Sequence, residues 1–379
     1  SVRHAELSAP KREDDDDIFI ADVLVGLSHS TVPEDWSIRR VDYRTASEAD
    51  LAAINDVAND VTAEWRPHDA PRPLVHRVAE ARELPEVYVE RTWLAESGDG
   101  LPIAEAGCWY HGESSFEGAP VVEIESLNVA AGWRRRGIGS ALMRLMGEYA
   151  AEHGRSHIHG RTRSPMPAGA AFAEAMGGVP GLEQRESELD LAALDLAMID
   201  RWMSEGPAHA PGYELVFMTD GYDPSCLPAI AETYDAMDDM PHDDLQAVTQ
   251  RKTVEQLVGA DAMLSGSGEI RWSAFVREVG SDRFAGLTDV FLRSWDPAVV
   301  HQGNTGVLHA HRGRRLGWWL KAAMARKVID DAPKTRIIRT GNAFSNAHML
   351  AINDAMGFRL TSVTTTWELP VERVLARRY

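Results

Sequence analysis

Apolar and polar positions along the chain follow two periods, and the two recur in the same order twice. From residue 37, SIRRVDYR reads as a short strand. Thr45 and Ser47 then cap a helix whose apolar positions in ADLAAINDVAND return every three or four residues. Between Trp93 and Val129 the period drops to two. TWLAES, IAEAGCWYH and VVEIESLNV are separated by SGDG and GESSFEGA, which predicts an antiparallel meander. GWRRRGIGSALMRLMGEYAAEHG then predicts a helix, SHIHGRTR a strand and AGAAFAEAMGG a second helix.

The stretch from about Leu194 to Gly212 contains GPAHAPG, and its Gly and Pro density predicts a linker over 196–211. Beyond it the plan repeats. YELVFMTDG reads as a strand and CLPAIAETYDAMDD as a helix, and IRWSAFVREVG, RFAGLTDVFLRS and TGVLHAH read as a meander. RGRRLGWWLKAAMARKVIDD predicts a helix, TRIIRTGN a strand, SNAHMLAINDAMGF a helix and residues 360–369 a closing strand. Aligning GWRRRGIGSALMRLM with AHRGRRLGWWLKAAM sets Arg134 and Arg312 178 positions apart, a duplication at domain scale. The expected organisation is an acidic extension over 1–35, a first domain over 36–195, a linker over 196–211 and a second domain over 212–379. Each domain is expected to be α/β, a mixed and mostly antiparallel sheet flanked by helices.

Composition narrows the partners. The 379 residues carry 39 Lys and Arg against 58 Asp and Glu, a formal charge of −19, which opposes nonspecific attraction to nucleic acid or to an anionic membrane. Any polyanionic ligand must meet a local basic patch. Cys108 and Cys226 are the two cysteines, so neither a disulfide framework nor a structural zinc set is supported, and a reducing cytoplasm fits best. IFIADVLVGL follows the acidic run Asp14 to Asp17 and is interrupted by Asp22; it is too short to span a bilayer, and neither signal peptide nor anchor is expected.

The chemistry concentrates where a strand gives way to a helix, at RRRGIG, Arg134 to Gly139. Glycines there let backbone N–H groups approach a ligand, the helix N-terminus adds partial positive charge and three arginines add full charge, so a phosphate group fits. The spacing is not GxGxxG, and GxxxxGK[ST] does not occur. With the preceding LNV strand the arrangement resembles motif A of the GNAT acyltransferase superfamily, (Q/R)xxGx(G/A), through Arg134, Gly137 and Gly139. The second half resembles it too, with TGVLHAHRGRRLG at motif A and NAFSNAHMLAINDAMGF at motif B. The whole looks like two tandem GNAT-type domains, an architecture similar to that of mycothiol synthase.

The resemblance implies an N-acetyltransferase with acetyl-CoA, or a related acyl-CoA, as acyl donor. The pyrophosphate would lie on the amides of Arg134, Arg135, Arg136, Gly137, Ile138, Gly139 and Ser140, and the pantetheine and acyl carbonyl beside Leu127, Asn128 and Val129. A thioester carbonyl needs backbone donors where its oxyanion develops, and a strand parting from its neighbour frees such N–H groups. In the second copy Arg315 stands where the first has Gly137, so the first half is favoured as the acyl-CoA site and the second is read as degenerate, structural or substrate-binding.

Glu123 lies 11 residues before Arg134, where histone-acetylating members of the superfamily resemble it with a base glutamate, and Glu125 follows on the same strand face. The two are the candidate catalytic residues, able to take a proton from an ammonium or to attract a cationic substrate; the competing reading is two solvent-facing strand residues. In the second copy His301 holds the equivalent place. The superfamily's tyrosine four residues before the motif B glycine is replaced by Ala173 before Gly177 and Asn353 before Gly357, which leaves thiolate departure to water or to another side chain. Asn342, Ser345 and Asn346 make the second motif B polar, and helix capping by Ser345 or Asn346 is the simpler account. Cys108 has no adjacent basic residue, so direct attack in a ternary complex is expected rather than an acyl-cysteine. The pairs His157/His159 and His309/His311 lack a completing carboxylate or thiol, and no metal is expected. The expected function is N-acylation of a small-molecule primary amine. Its alternatives are a non-catalytic acyl-CoA sensor and an aminoacyl-tRNA-dependent transferase, the latter opposed by the net charge.

Overall fold

The computed structural model describes residues 35–111, 121–219, 221–237 and 252–377. Of the expected acidic extension, residues 1–34 lie outside the described residues, as does the end of the CLPAIAETYDAMDD segment. The first unit contains β1 (Trp36–Val41), α1 (Glu48–Trp65), α2 (Leu74–Glu83), β2 (Tyr88–Ser97), β3 (Pro102–His111), β4 (Val121–Val129), α3 (Ile138–Glu152), β5 (His157–Arg163), α4 (Pro167–Ala175) and β6 (Val179–Asp190). Ser47 caps α1 by accepting from the Asp50 amide, Glu48 and Asp50 complement the helix dipole, and Leu51, Ile54, Val57 and Val61 form its buried stripe.

The segment expected to serve as a linker is a helix, α5 (Leu196–His209), capped by Asp195 and carrying Pro207 within it. The second unit follows as β7 (Tyr213–Met218), α6 (Leu227–Thr233), α7 (Val254–Ser267), β8 (Glu269–Glu278), β9 (Phe284–Arg293), β10 (Asp296–Val307), α8 (Leu316–Asp331), β11 (Ile337–Ala343), α9 (Ala347–Met356), β12 (Arg359–Pro370) and α10 (Val371–Ala376). Helices α2 and α7 and strand β6 were not among the elements read from the sequence. α7 opens with a capping box between Thr253 and Gln256, a signal present in the letters TVEQ.

The described strands form one twelve-stranded sheet in the order β1-β2-β3-β4-β5-β12-β6-β11-β10-β9-β8-β7. It is mostly antiparallel. The two parallel pairs are β4 with β5 and β10 with β11. The centre shows a reciprocal exchange: β6, from the first unit, pairs with β11 of the second, while β12, from the second, pairs with β5 of the first. β6 and β12 also pair with each other.

Packing follows the same exchange. Trp367, Leu369, Val371 and Val374, from the end of the chain, join the core beneath α3. Leu189, Leu194, Met198 and Ile199 join the core beneath α8. Each large apolar side chain so buried contributes on the order of 2 kcal/mol, so neither core is complete without the other half's last strand. The helices after the exchanged strands seat on the facing unit: a Cβ on Gly147 of α3 would stand 3.0 Å from Val374, and one on Gly206 of α5 would stand 2.5 Å from the Trp319 ring.

Candidate active site

β4 and β5 pair in parallel only at Val121 to Glu123 with His157 to His159, and beyond that register they part. β4 runs into a single 3₁₀ turn, Ala131–Trp133, and then into the loop that opens α3. Arg135 (φ 65) and Gly137 (φ 87) both take the left-handed conformation, and Gly137 caps α3 with no side-chain hydrogen bond to its first turn. The first-turn amides therefore keep their donors for an anion. A Cβ at Gly137 would meet no atom within 4 Å, whereas one at Gly139 would touch Phe172 and Val129 at 3.7 and 3.8 Å. Gly137 thus serves backbone conformation, and Gly139 sits where α3 packs closely on β4 and α4.

The arginines divide their work. Arg134 Nε donates to the Val129 carbonyl at 2.9 Å, and its two terminal nitrogens clasp Glu64 at 2.6 and 2.8 Å, which makes it a strut of the loop. Arg136 lies over the Trp133 ring at 4.5 Å. Leu127 and Val129 pack against the α3 core. The Asn128 amide turns to the other face and donates to Glu105 at 2.5 Å, so any ligand contact from this stretch falls to the backbone.

On that other face stand the two candidate carboxylates. β4 bulges between Ile124 and Ser126 opposite Gly107 and Cys108, and a Cβ on Gly107 would lie near both Ser126 and Glu125. Glu125 accepts from Trp109 Nε1 at 3.2 Å. Glu123 sits in the last register before the strands part, where His159 Nδ1 reaches its Oε1 at 3.1 Å and Arg161 lies 3.9 Å from its Oε2. His159 Nε2 meets Glu368 of the exchanged strand β12 at 3.3 Å. The row Glu123–His159–Glu368 therefore crosses β4, β5 and β12. Burial alone would lower the His159 pKa, but the hydrogen bonds and charges of its two carboxylates outweigh that, and the net shift is upward.

Three residues of this face were not found by reading the sequence. His159 was weighed as half of a metal pair, and among the described residues no three metal-binding side chains come together. Glu368 is far off in the chain and arrives through strand exchange. Glu105, 1% exposed, is pushed upward in pKa by burial, against hydrogen bonds from Ser126 and Asn128. Its signal was a charge at an interior position of the strand IAEAG.

The second unit repeats the backbone with different side chains. β10 and β11 pair in parallel at Val299 to His301 with Ile337 to Arg339, then part. Arg312 Nε donates to the Val307 carbonyl at 3.0 Å, as Arg134 does to Val129. Gly313 (φ 81) and Arg315 (φ 57) take the left-handed conformation, so the glycine and the arginine have changed places relative to Arg135 and Gly137. Arg315 leaves the loop to meet His209 of α5 at 3.2 Å. The floor row is His301–Arg339–Glu188, again completed by an exchanged strand, and Arg339 also clasps Asp69 at 2.7 and 3.0 Å. His301 is driven well below the usual histidine range by burial and then by Arg293, Arg339 and Arg66. Between the parted strands lies a cavity of about 330 Å³. Of the polar motif B residues, Asn346 caps α9 through the Met349 amide, and Asn353 donates to Asn342 at 2.7 Å.

Splayed parallel strands, a left-handed loop and an open helix N-terminus together form a cleft with the chemistry to receive an anionic ligand. Residues 54–177 match the acetyltransferase (GNAT) family. The full chain is similar to a tandem GNAT protein from the clavulanic acid biosynthesis pathway, at 26% identity over 89% of this chain and 98% of that one, TM-score 0.73. In fold it is also similar to a GCN5-related N-acetyltransferase from Sphaerobacter thermophilus, at 14% identity over 90% and 97%, TM-score 0.59. A third is a probable N-acyltransferase from Enterococcus faecalis V583, at 12% identity over 91% and 74%, TM-score 0.51. No curated protein matches the sequence. Residues 54–177 thus carry a GNAT acetyltransferase domain, and the chain has the two-unit architecture of a tandem GNAT protein. Among the described residues no helix is long and apolar enough to cross a membrane.

Proposed function

We propose that the first cleft is the acyl-transfer site, moving an acyl group, acetyl in the simplest case, from acyl-CoA to a primary amine of a small molecule. One observation carries the reading: where β4 and β5 part, free backbone amides lie directly beyond a carboxylate, Glu123, that His159 orients. The amides from Arg134 to Ser140 would hold the pyrophosphate, and the thioester supplies the activated acyl group. Glu123 takes the proton from the ammonium, and Glu125 adds negative potential that draws a cationic acceptor. The amine then attacks the acyl carbon, the N–C bond forms as the C–S bond breaks, and the second proton of the amine passes through water to the departing thiolate. Cys108 is no nucleophile here, because burial pushes its thiol pKa upward. Two free cysteines suit a reducing compartment, and the cytoplasm is the location we propose.

The test is turnover of acetyl-CoA against a panel of small amines, paired with calorimetric titration of CoA on the full chain. Gly137→Trp should abolish CoA binding at the first cleft. Unchanged binding in that variant would sink the site assignment, and tight binding without turnover on any amine would replace catalysis with acyl-CoA sensing.

A further inference from the structure

Lysine is almost never fully buried without a partner of opposite charge. Lys321, on the sheet-facing side of α8, is 2% exposed. Its Nζ donates to the neutral amide oxygen of Gln302 at 3.1 Å and lies 4.9 Å from the Phe358 ring centroid. No ion pair to it occurs among the described residues, and burial is the sole influence on its titration, which is pushed down to about 7. The corresponding position in α3, 178 residues earlier, is Met143, an apolar core residue. The second unit has therefore placed a cation where the first keeps a thioether.

Lys321 also lines the 330 Å³ cavity between β10 and β11. The other walls offer amides and hydroxyls, including Gln184 from the exchanged strand, Thr305, Thr340, Asn342 and Asn346, and no carboxylate among the described residues lines it. Such a wall solvates a negative group and offers nothing to pair with a positive one. A buried cation with no counter-charge among the described residues, facing a cavity they line with neutral polar groups, matches the chemistry of a ligand that brings its own.

We propose that the second cleft binds a small molecule ending in a carboxylate on a short carbon chain, with Lys321 as its counter-ion and specificity-determining residue. The carboxylate can arrive as a free dicarboxylic acid or as the acidic acyl group of an acyl-CoA. Both present the same anion to Nζ, and neither requires the first cleft to be catalytic.

Calorimetric titration of the full chain separates these sources. Succinate against succinamide tests the free acid, and succinyl-CoA against acetyl-CoA tests the acyl group. In the wild-type chain at pH 7, at least one carboxylate should bind about tenfold or more tightly than its neutral counterpart, the effect of a charge-assisted hydrogen bond. Lys321→Met, which installs the residue of the first unit, should erase that preference. Lys321→Gln, which keeps a hydrogen bond and removes only the charge, should erase it as well and serves where the methionine variant does not fold. Equal binding of both members of each pair in the wild type, or a preference that survives either substitution, would overturn the proposal and leave Lys321 a neutral structural amine.

Discussion

The two clefts share a backbone and differ in charge. In the first, the row beneath the parting strands reads Glu123–His159–Glu368, a histidine between carboxylates. In the second it reads His301–Arg339–Glu188, a neutral histidine beside an arginine whose charge is already satisfied by Glu188 and Asp69. The first cleft keeps carboxylates at its floor. The second has none among the described residues lining its cavity and holds Lys321 instead. Duplication preserved what the fold needs, namely two left-handed residues before the helix, an arginine strut and a strand pair that separates. The side chains at the separation differ: carboxylates and a histidine in the first unit, a buried lysine among amides and hydroxyls in the second. In both, the last member of the row comes from the other unit's strand, so neither cleft is finished within its own half.

The largest expected effect breaks the symmetry at the floor. Glu123→Gln preserves shape and removes the proton acceptor, so kcat for acetyl transfer to a small amine should fall by roughly 10²–10⁴-fold, the usual worth of a general base. KM for acetyl-CoA should change little, because the loop that would hold it is untouched. His301→Gln, the same position in the second unit, should leave kcat within about threefold, since a histidine whose pKa is depressed by burial and neighbouring arginines is a weak proton acceptor. Steady-state kinetics on both variants decides the matter. Equal losses in the two would erase the functional difference between the clefts.

The legible part of this molecule was its local periodicity. The strand and helix patterns from Ser37 onward, the duplicated RRRGIG and RGRRLG loops and the placement of Glu123 and Glu125 on a strand all followed from residue spacing. What the letters hid was long-range pairing. Nothing in VPGLEQRESELD says that it will pair with residues 337–343 rather than fold back on its own unit, because an alternating strand satisfies either neighbour equally. Glu368 belonged to no candidate site for that reason. The helix at Leu196–His209 was masked by Gly206 and Pro207. The glycine is needed because the Trp319 ring occupies the space of its Cβ, and the proline stands in a helix anchored by tertiary packing. Lys321 carried no signal in its sequence neighbourhood, since burial of a charge is a property of the packed α8 face and not of the residues around it.

A second effect sharpens the contrast through stability. Lys321 loses solvation on folding and gains no counter-charge from the described residues, so its folded pKa of about 7 lies far below the 10.5 of an exposed lysine. Below pH 7 the folded chain bears this penalty in full; between pH 7 and about 10.5 the penalty shrinks as the unfolded lysine also loses its proton. Lys321→Met should therefore stabilise the ligand-free protein by about 1–3 kcal/mol near pH 6, and by progressively less toward pH 10. Thermal denaturation across that range measures the difference. A variant less stable than the wild type at pH 6 would mean that Lys321 has a partner in the folded state, contrary to its surroundings here.

The smallest effect sets the two floor histidines against each other. His159 has a folded pKa raised above 6.5 by Glu123 and Glu368, so its contribution to stability is fully present below pH 6.5 and is lost as pH rises through the folded value. His301 has a folded pKa depressed by burial and by Arg293, Arg339 and Arg66, so it penalises folding as pH falls below 6.5, when the unfolded histidine binds a proton that the folded one refuses. His159→Gln should then cost more stability at pH 5.5 than at pH 8.5, by an amount on the order of 1 kcal/mol. His301→Gln should show the reverse slope, its stability relative to the wild type improving as the solution is acidified. Melting temperatures of the three chains at the two pH values give both slopes. If the slopes have the same sign, the floors are electrostatically alike, and the division of the clefts into a cation-facing and an anion-facing pair loses its basis.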